Sequence, residues 1–182
     1  DYKSSGGQLH LAQVYHGLAL QLLTYMLVLR DNKVGQKLTP IGAFYQQVAR
    51  AMKTVEHPDE AAAADSDEHQ LRLKPRGIFH ADYVQVFDSV WTDGASPAIA
   101  ASRNKDQSLG RREYSDAADA VELDRLLDYV RDKIAELADK LMAGEIKVEP
   151  YRLGDETPCP RCEFRAVCRF EPGINKYHVL PT

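Results

Sequence analysis

The sequence predicts an α/β domain that carries added helices and ends in a cysteine cluster. Apolar residues recur three and four positions apart over residues 11–30 and again over 116–143, which is the spacing of amphipathic helices. Aromatic and β-branched residues in "IGAFYQQVA" at 41–49 indicate a strand. The chain has 182 residues, which fits one domain, and its three cysteines all lie within 159–168.

Composition excludes two classes of protein. The net charge of -4 and the pI of about 5.9 argue against a DNA binder with a basic surface throughout, but not against a local basic groove. Residues 4–29 lack charged side chains, yet glycine, glutamine and histidine interrupt them, and their apolar runs fall far short of the ~20 residues of a membrane span. We therefore expect no membrane span.

The N-terminal region reads as strand, turn, helix and strand. "DYKSS" is typical of a strand end and "SSGG" of the turn that follows it. The helix over 11–30 is apolar on nearly all sides, so we expect it to be largely buried. A loop, "RDNKVGQKLTP", then leads to the strand at 41–49.

The middle of the chain is less regular. Residues 56–70 are acidic and of low complexity, and we expect an exposed excursion there. Residues 76–90 fit a helix or a strand, and the spacing favours a short helix from about Ala81. Residues 91–113 read as mostly irregular, with Trp91 in the core rather than acting as a stacking platform.

The clearest predicted helix covers 116–143. Ser115 is placed to cap its start, Glu136 and Lys140 form an i,i+4 pair, and Gly144 is placed to end it. "GEIKVEPY" then reads as a short strand or extended segment that opens a cysteine-cluster tail over 145–182.

Cys159, Cys162 and Cys168 form a C-x2-C-x5-C motif. An odd number of cysteines in one tight cluster favours metal ligation in a reducing compartment over disulfides, so we expect a cytoplasmic protein. The spacing suits zinc or an iron–sulfur cluster and does not choose between them. A closed site needs four ligands, so His178 could complete a zinc site, or a ligand could come from outside the chain.

Three motifs now stand in order: D-x-K at Asp1 and Lys3, Q-x-x-x-Y at Gln21 and Tyr25, and the cysteine motif. This order resembles the RecB-like PD-(D/E)xK nucleases that carry an iron–sulfur cluster. More narrowly, nearly the whole chain resembles the C-terminal nuclease domain of the B subunit of AddAB-type helicase–nucleases. The resemblance implies a single nuclease-type domain over 1–182, with a partial restriction-endonuclease-like core.

The resemblance also implies roles for individual residues. Asp1 matches the second acidic ligand of a catalytic Mg²⁺ or Mn²⁺, and the backbone carbonyl of Tyr2 matches a further ligand. Lys3 matches the lysine that positions or activates the attacking water. Gln21 and Tyr25 match the pair beside the active site, and the three cysteines match three of four ligands of a [4Fe–4S] cluster.

Two features of the family would lie before Asp1: the first metal-binding aspartate and the fourth cluster cysteine. We therefore expect this chain to be a fragment that is inactive in isolation, with a cluster that is labile or missing. In the family the cluster acts as a structural clasp between the tail and a residue that precedes the core.

The implied function is a metal-dependent DNA exonuclease domain of a helicase–nuclease that processes double-strand break ends for recombinational repair. Its implied partners are DNA and the A subunit of the helicase–nuclease, and ATP binding belongs to the full complex. Two alternatives stay open. One is a Cas4-like iron–sulfur exonuclease acting on single-stranded DNA, and the other is a catalytically incomplete scaffold.

Each candidate site also has a simpler interpretation. Gln21 and Tyr25 could be a buried polar pair, and Asp1 with Lys3 a surface ion pair. The segment "SRNKDQSLGRR" could line a path for single-stranded DNA or form a solvated loop. Its candidate DNA-binding residues are Arg103, Lys105, Arg111 and Arg112.

Overall fold

The computed structural model describes residues 8–32, 35, 38–46, 74–110 and 115–181. Its helices are α1 (Leu11–Tyr15), α2 (Gln21–Asp31), α3 (Val84–Phe87), α4 (Ala120–Met142) and α5 (Arg165–Cys168). Its strands are β1 (Gly42–Tyr45), β2 (Arg76–His80), β3 (Gly94–Ala95), β4 (Ser102–Arg103), β5 (Ala117–Ala118), β6 (Tyr151–Leu153) and β7 (His178–Leu180). Short 3₁₀ turns cover Ala81–Tyr83 and Cys159–Arg161. This mixture of helices and strands confirms the predicted α/β class.

Strand β2 is the centre of a three-stranded sheet in the order β1-β2-β5. Strand β1 runs antiparallel to it and β5 runs parallel. Because successive side chains of a strand point to opposite faces, Ile78 and Phe79 enter two different cores. Ile78 packs with residues of α2 and α4, and Phe79 packs with Val84 and Trp91. The sheet therefore separates the two cores.

Helices α2 and α4 cover one face of the sheet. Leu23 and Met26 of α2 are fully buried against Leu127 and Val130 of α4. At the rim of this contact, the guanidinium of Arg30 donates to the Asp128 carboxylate over 2.9 Å. Apolar packing thus sets the distance between the helices, and the ion pair adds orientation.

The predicted helix over 11–30 is wrong in its continuity and in its burial. The structure has two helices there, interrupted between His16 and Leu20. Gly17 lies in this break with φ of +78°, a conformation that side chains disfavour, and α4 packs so closely that a Cβ on Gly17 would lie 3.2 Å from Leu137. Several apolar side chains of this region are exposed: Leu11, Tyr15, Leu18, Tyr25, Val28 and Leu29.

The predicted helix over 116–143 exists, but its start was placed too early. Helix α4 begins at Ala120 because Ala117 and Ala118 pair with β2 as strand β5. Its cap is not Ser115, which is buried, but Asp119. The Asp119 carboxylate accepts from the backbone N–H of Glu122 over 2.8 Å, and the Glu122 side chain accepts from the N–H of Asp119. This is a capping box.

The other end of α4 follows the prediction. The helix ends at Met142, and Gly144 follows with φ of +70°. Lys140 donates to Glu136 over 2.7 Å, which confirms the predicted pair. Hydrogen bonds from Lys133 and Lys140 lower the pKa of the Glu136 carboxyl to about 2.

Replacing Asp119 by alanine should lower the free energy of unfolding by about 1 kcal/mol, because two backbone N–H groups lose their partners at once. Chemical denaturation measures the change. Asp139→Ala is the matched control, since Asp139 is an exposed carboxylate within the same helix. An equal loss in both variants would contradict a capping role.

The remaining strand and helix predictions are mostly confirmed within the described residues. The predicted strand at 41–49 appears as β1, and helical structure begins at Ala81 as predicted, directly after β2. Residues 91–110 are mostly irregular apart from the β3–β4 hairpin. The acidic segment 56–70 lies outside the described residues.

Trp91 is 5 % exposed, which confirms its predicted place in the core. It packs beside a buried carboxylate, Asp88, which accepts from the Ser96 hydroxyl over 2.6 Å and from the N–H of Trp91 over 3.1 Å. The bond from Ser96 is the largest of the effects that lower the pKa of Asp88. Asp88 thereby ties the loop after α3 to the loop before β4.

This lowered pKa predicts how stability depends on pH. A carboxyl whose pKa is lower in the folded state stabilises the fold above its unfolded pKa of about 3.9, and this contribution is lost as pH falls. We expect the wild type to exceed Asp88→Asn in unfolding free energy at neutral pH, and the difference to shrink below about pH 4. Denaturation curves at several pH values measure it, and a constant difference would contradict the prediction.

The tail is held to α1 and the turn after it. Strands β6 and β7 form a parallel pair, with Tyr151 opposite His178. The Gln13 amide donates to Glu156 over 3.2 Å, and the His16 Nε2 lies 2.8 Å from the Pro181 carbonyl oxygen. Every helix in the described part of the chain is too short or too polar to cross a membrane.

Candidate functional site

Gln21 and Tyr25 meet on one face of α2. They begin the helix one turn apart, so their side chains lie side by side. The Gln21 Nε2 donates to the Tyr25 hydroxyl over 2.8 Å. Because the tyrosine oxygen accepts this bond, its O–H proton stays available for a second acceptor.

This pair faces away from the core. Leu22, Leu23 and Met26 are buried on the opposite side of α2, whereas Gln21 is exposed and Tyr25 is 51 % exposed. The structure thus contradicts the interpretation of a buried polar pair. An exposed amide and hydroxyl held together can serve as a hydrogen-bonding unit for a ligand.

The three cysteines share one pocket of about 210 Å³. The 3₁₀ turn begins at Cys159, and its backbone carbonyl accepts from the N–H of Cys162 over 3.4 Å. Cys168 follows at the end of α5. Two short helical turns therefore bring the three thiols to one cavity, with Cys162 exposed and the other two half-buried.

The surroundings of this pocket suit a metal–sulfur group. Apolar rings of Phe170, Pro172 and Tyr177 line it and limit the access of water. Within the described ranges, no three histidine, cysteine or carboxylate side chains are gathered closely enough to hold one metal ion. A [4Fe–4S] cluster places each cysteine on a different iron, so its ligands stand further apart than around a single ion. The pocket thus fits the cluster better than a zinc ion.

His178 gives no support to the Cys₃His zinc alternative. It lies in β7, is exposed, and is not among the residues that line the cysteine pocket.

Comparison with known proteins decides the family. The family described as the PD-(D/E)XK nuclease superfamily matches residues 1–169, which is most of the chain. The chain belongs to the PD-(D/E)XK nuclease superfamily. The match extends over the D-x-K motif, the Gln21–Tyr25 pair and all three cysteines.

Curated relatives of this PD-(D/E)XK chain are all named as the B subunit of an ATP-dependent helicase/deoxyribonuclease. The protein from Listeria monocytogenes serotype 4a (strain HCC23) is 36% identical over 99% of the chain. Those from Bacillus subtilis (strain 168) and Bacillus cereus (strain G9842) are each 33% identical, over 100% and 99% of it. The chain spans 16% of the length of each of these relatives.

The D-x-K motif of this PD-(D/E)XK chain lies outside the described residues, since Asp1, Tyr2 and Lys3 precede residue 8. Nearby, the structure describes Gln21 and Tyr25 at the start of α2 and the polar contacts of Gln13 with the tail. The positions of the three motif residues stay predictions.

The candidate DNA-binding loop of the PD-(D/E)XK chain is only partly described. Arg103 is half-buried, with its guanidinium 4.8 Å from the centre of the Trp91 ring, and it donates to the Gln107 carbonyl over 3.3 Å. These contacts give it a packing role. Lys105 is exposed, and Arg111 and Arg112 lie outside the described residues.

Sequence reasoning missed one residue of the cysteine pocket. Thr157 lines this pocket, and its Oγ1 is buried with no hydrogen-bond partner in the structure. The sequence carried no signal for it, because burial of a hydroxyl between an acidic turn and a proline follows from tertiary packing alone.

Proposed function

We propose that this chain is the DNA-cleaving part of a B subunit of an ATP-dependent helicase–nuclease, and that it acts as a metal-dependent exonuclease on double-strand break ends during recombinational repair. The observation that carries the proposal is the superfamily match from residue 1 to 169. The helicase/deoxyribonuclease relatives at 33–36% identity support the helicase–nuclease assignment over the Cas4-like alternative.

The catalytic metal site is assigned to the D-x-K motif. Asp1 and the Tyr2 carbonyl would hold Mg²⁺ or Mn²⁺, since such ions prefer oxygen ligands. A divalent ion supplies charge stabilisation at the phosphate and a water that ionises more readily at neutral pH. Lys3 positions that water and offsets negative charge that develops at the phosphate.

Gln21 and Tyr25 contact the DNA backbone beside this site. Their mutual hydrogen bond fixes both side chains, and the free tyrosine O–H donates to a phosphate oxygen. The exposure of the pair on α2 supports this role. Lys105 and the neighbouring arginines extend the path of the strand, with Arg103 chiefly packing against Trp91.

Cys159, Cys162 and Cys168 hold a structural [4Fe–4S] cluster. The shared pocket and its apolar wall support this assignment. The chain contains three cysteines, so the fourth ligand comes from outside it. Zinc is the alternative occupant, and metal analysis of the purified protein distinguishes the two.

The partners that follow are DNA and the helicase subunit that completes the complex, where ATP is bound. We place the complex in the cytoplasm, where a cluster ligated by free thiols is kept reduced.

The function is tested on the intact B subunit, purified with its helicase partner. End-labelled linear DNA should be degraded in Mg²⁺, protected by EDTA, and degraded again when excess Mg²⁺ or Mn²⁺ is added. A closed circular duplex is the control, since an exonuclease needs an end. Absence of metal-dependent degradation of linear DNA would refute the proposal.

Replacing Tyr25 by phenylalanine should slow DNA cleavage about ten- to a hundredfold, because one hydrogen bond to a charged phosphate is lost. The fold should be unaffected, since the hydroxyl is exposed. Tyr83→Phe is the matched control, because Tyr83 is a similarly exposed tyrosine on the other side of the sheet. Equal rates for Tyr25→Phe and wild type would remove the tyrosine from the site.

A further inference from the structure

The cysteine pocket contains a polar group to which the proposed function gives no role. Thr157 lines the pocket two residues before Cys159, and its hydroxyl is shielded from solvent. This hydroxyl has no hydrogen-bond partner in the described structure. Burying a hydroxyl without a partner costs free energy, so native proteins normally provide one.

The chemistry of the lining points to the missing partner. The Arg165 guanidinium only donates hydrogen bonds, and the rings of Phe170 and Pro172 offer no acceptor. The remaining lining atoms include the three cysteine sulfurs. Once they ligate a metal–sulfur group, these sulfurs are thiolates and accept hydrogen bonds.

We propose that the Thr157 hydroxyl donates a hydrogen bond to a sulfur of the iron–sulfur cluster, either a cysteine thiolate or an inorganic sulfide. Thr157 is then a positioning residue for the cluster and raises its reduction potential. The inference rests on the proposed function, since that function assigns the cluster to this pocket.

The direction of the effect follows from charge. One-electron reduction adds negative charge that is shared by the sulfurs, so a donor stabilises the reduced cluster more than the oxidised one. Hydrogen bonds to the sulfurs are among the factors that set the potentials of such clusters. Removing the donor therefore lowers the potential.

The test compares two substitutions in the intact B subunit, purified with its helicase partner in the absence of oxygen. Thr157→Val keeps the branched shape and removes the hydroxyl, whereas Thr157→Ser keeps the hydroxyl. Iron content, the visible spectrum and the midpoint potential are measured. Thr92→Val is the control, because Thr92 is exposed near β3.

We expect Thr157→Val to shift the reduction equilibrium about tenfold toward the oxidised cluster, which is ~59 mV for a one-electron couple. Thr157→Ser and Thr92→Val should match the wild type. Loss of iron from Thr157→Val alone would also support the role of the hydroxyl. An unchanged potential in Thr157→Val, or equal loss of iron from both Thr157 variants, overturns the inference.

Two further outcomes separate this inference from the nuclease assignment. A wild-type protein that degrades linear DNA but holds no iron overturns the inference and leaves the nuclease proposal intact. A shifted potential in a protein that degrades no DNA supports the inference and refutes the nuclease proposal.

Discussion

Replacing Lys3 by alanine in the intact B subunit should slow DNA cleavage about a hundred- to a thousandfold, without a loss of DNA affinity on the same scale. An ammonium beside a phosphate that gains charge stabilises the transition state more than the ground state, so its removal acts on the chemical step. Single-turnover degradation of linear DNA measures this step directly, and a binding assay in Ca²⁺ measures affinity.

Lys176→Ala is the matched control for Lys3→Ala. Lys176 is an exposed lysine of the tail, so its loss removes the same charge away from the proposed site. Both variants should keep the iron content and the unfolding transition of the wild type. If Lys3→Ala cleaves DNA as fast as Lys176→Ala, the D-x-K motif is not the catalytic centre.

Replacing Cys162 by serine should remove most of the iron from the intact B subunit and lower its stability. A cluster with two ligands from this chain is held far more weakly than one with three, and the free energy of metal binding contributes to folding. Iron analysis and the absorbance of the cluster measure the first effect. Thermal denaturation measures the second.

Ser108→Ala is a suitable control for Cys162→Ser, since it also changes an exposed loop residue, in this case one bonded to Asp106. It should retain the iron of the wild type. Full iron content in Cys162→Ser would show that the cluster does not use this thiol. Zinc in place of iron in the wild type would identify the alternative metal.

The parts of the fold that the sequence predicted are those set by neighbouring residues. The apolar spacing of Leu123, Leu127 and Val130 is enough to define α4, and the C-x2-C-x5-C spacing is enough to bring the thiols to one pocket. The Gln21–Tyr25 contact follows from the helical repeat alone. These features need no knowledge of distant residues.

The errors arose where distant residues decide. The helical pattern continues through Gly17, and only the close approach of α4 shows why the chain bends there. Likewise, pairing with β2 takes Ala117 and Ala118 into a strand, so the helix starts later than its pattern suggests. The capping box of Asp119 and Glu122 was visible in the sequence as D-x-x-E and could have corrected the start.

The contacts between the tail and α1 also determine when the domain can be completed. Gln13 and Glu156 are 143 residues apart in sequence, and His16 and Pro181 are 165 apart. During synthesis the residues of both cores leave the ribosome before residues 145–181 do. The sheet and its two cores can therefore form first, while α1 waits for its partner. Loading of the cluster is then among the last steps of maturation, after translation of the tail.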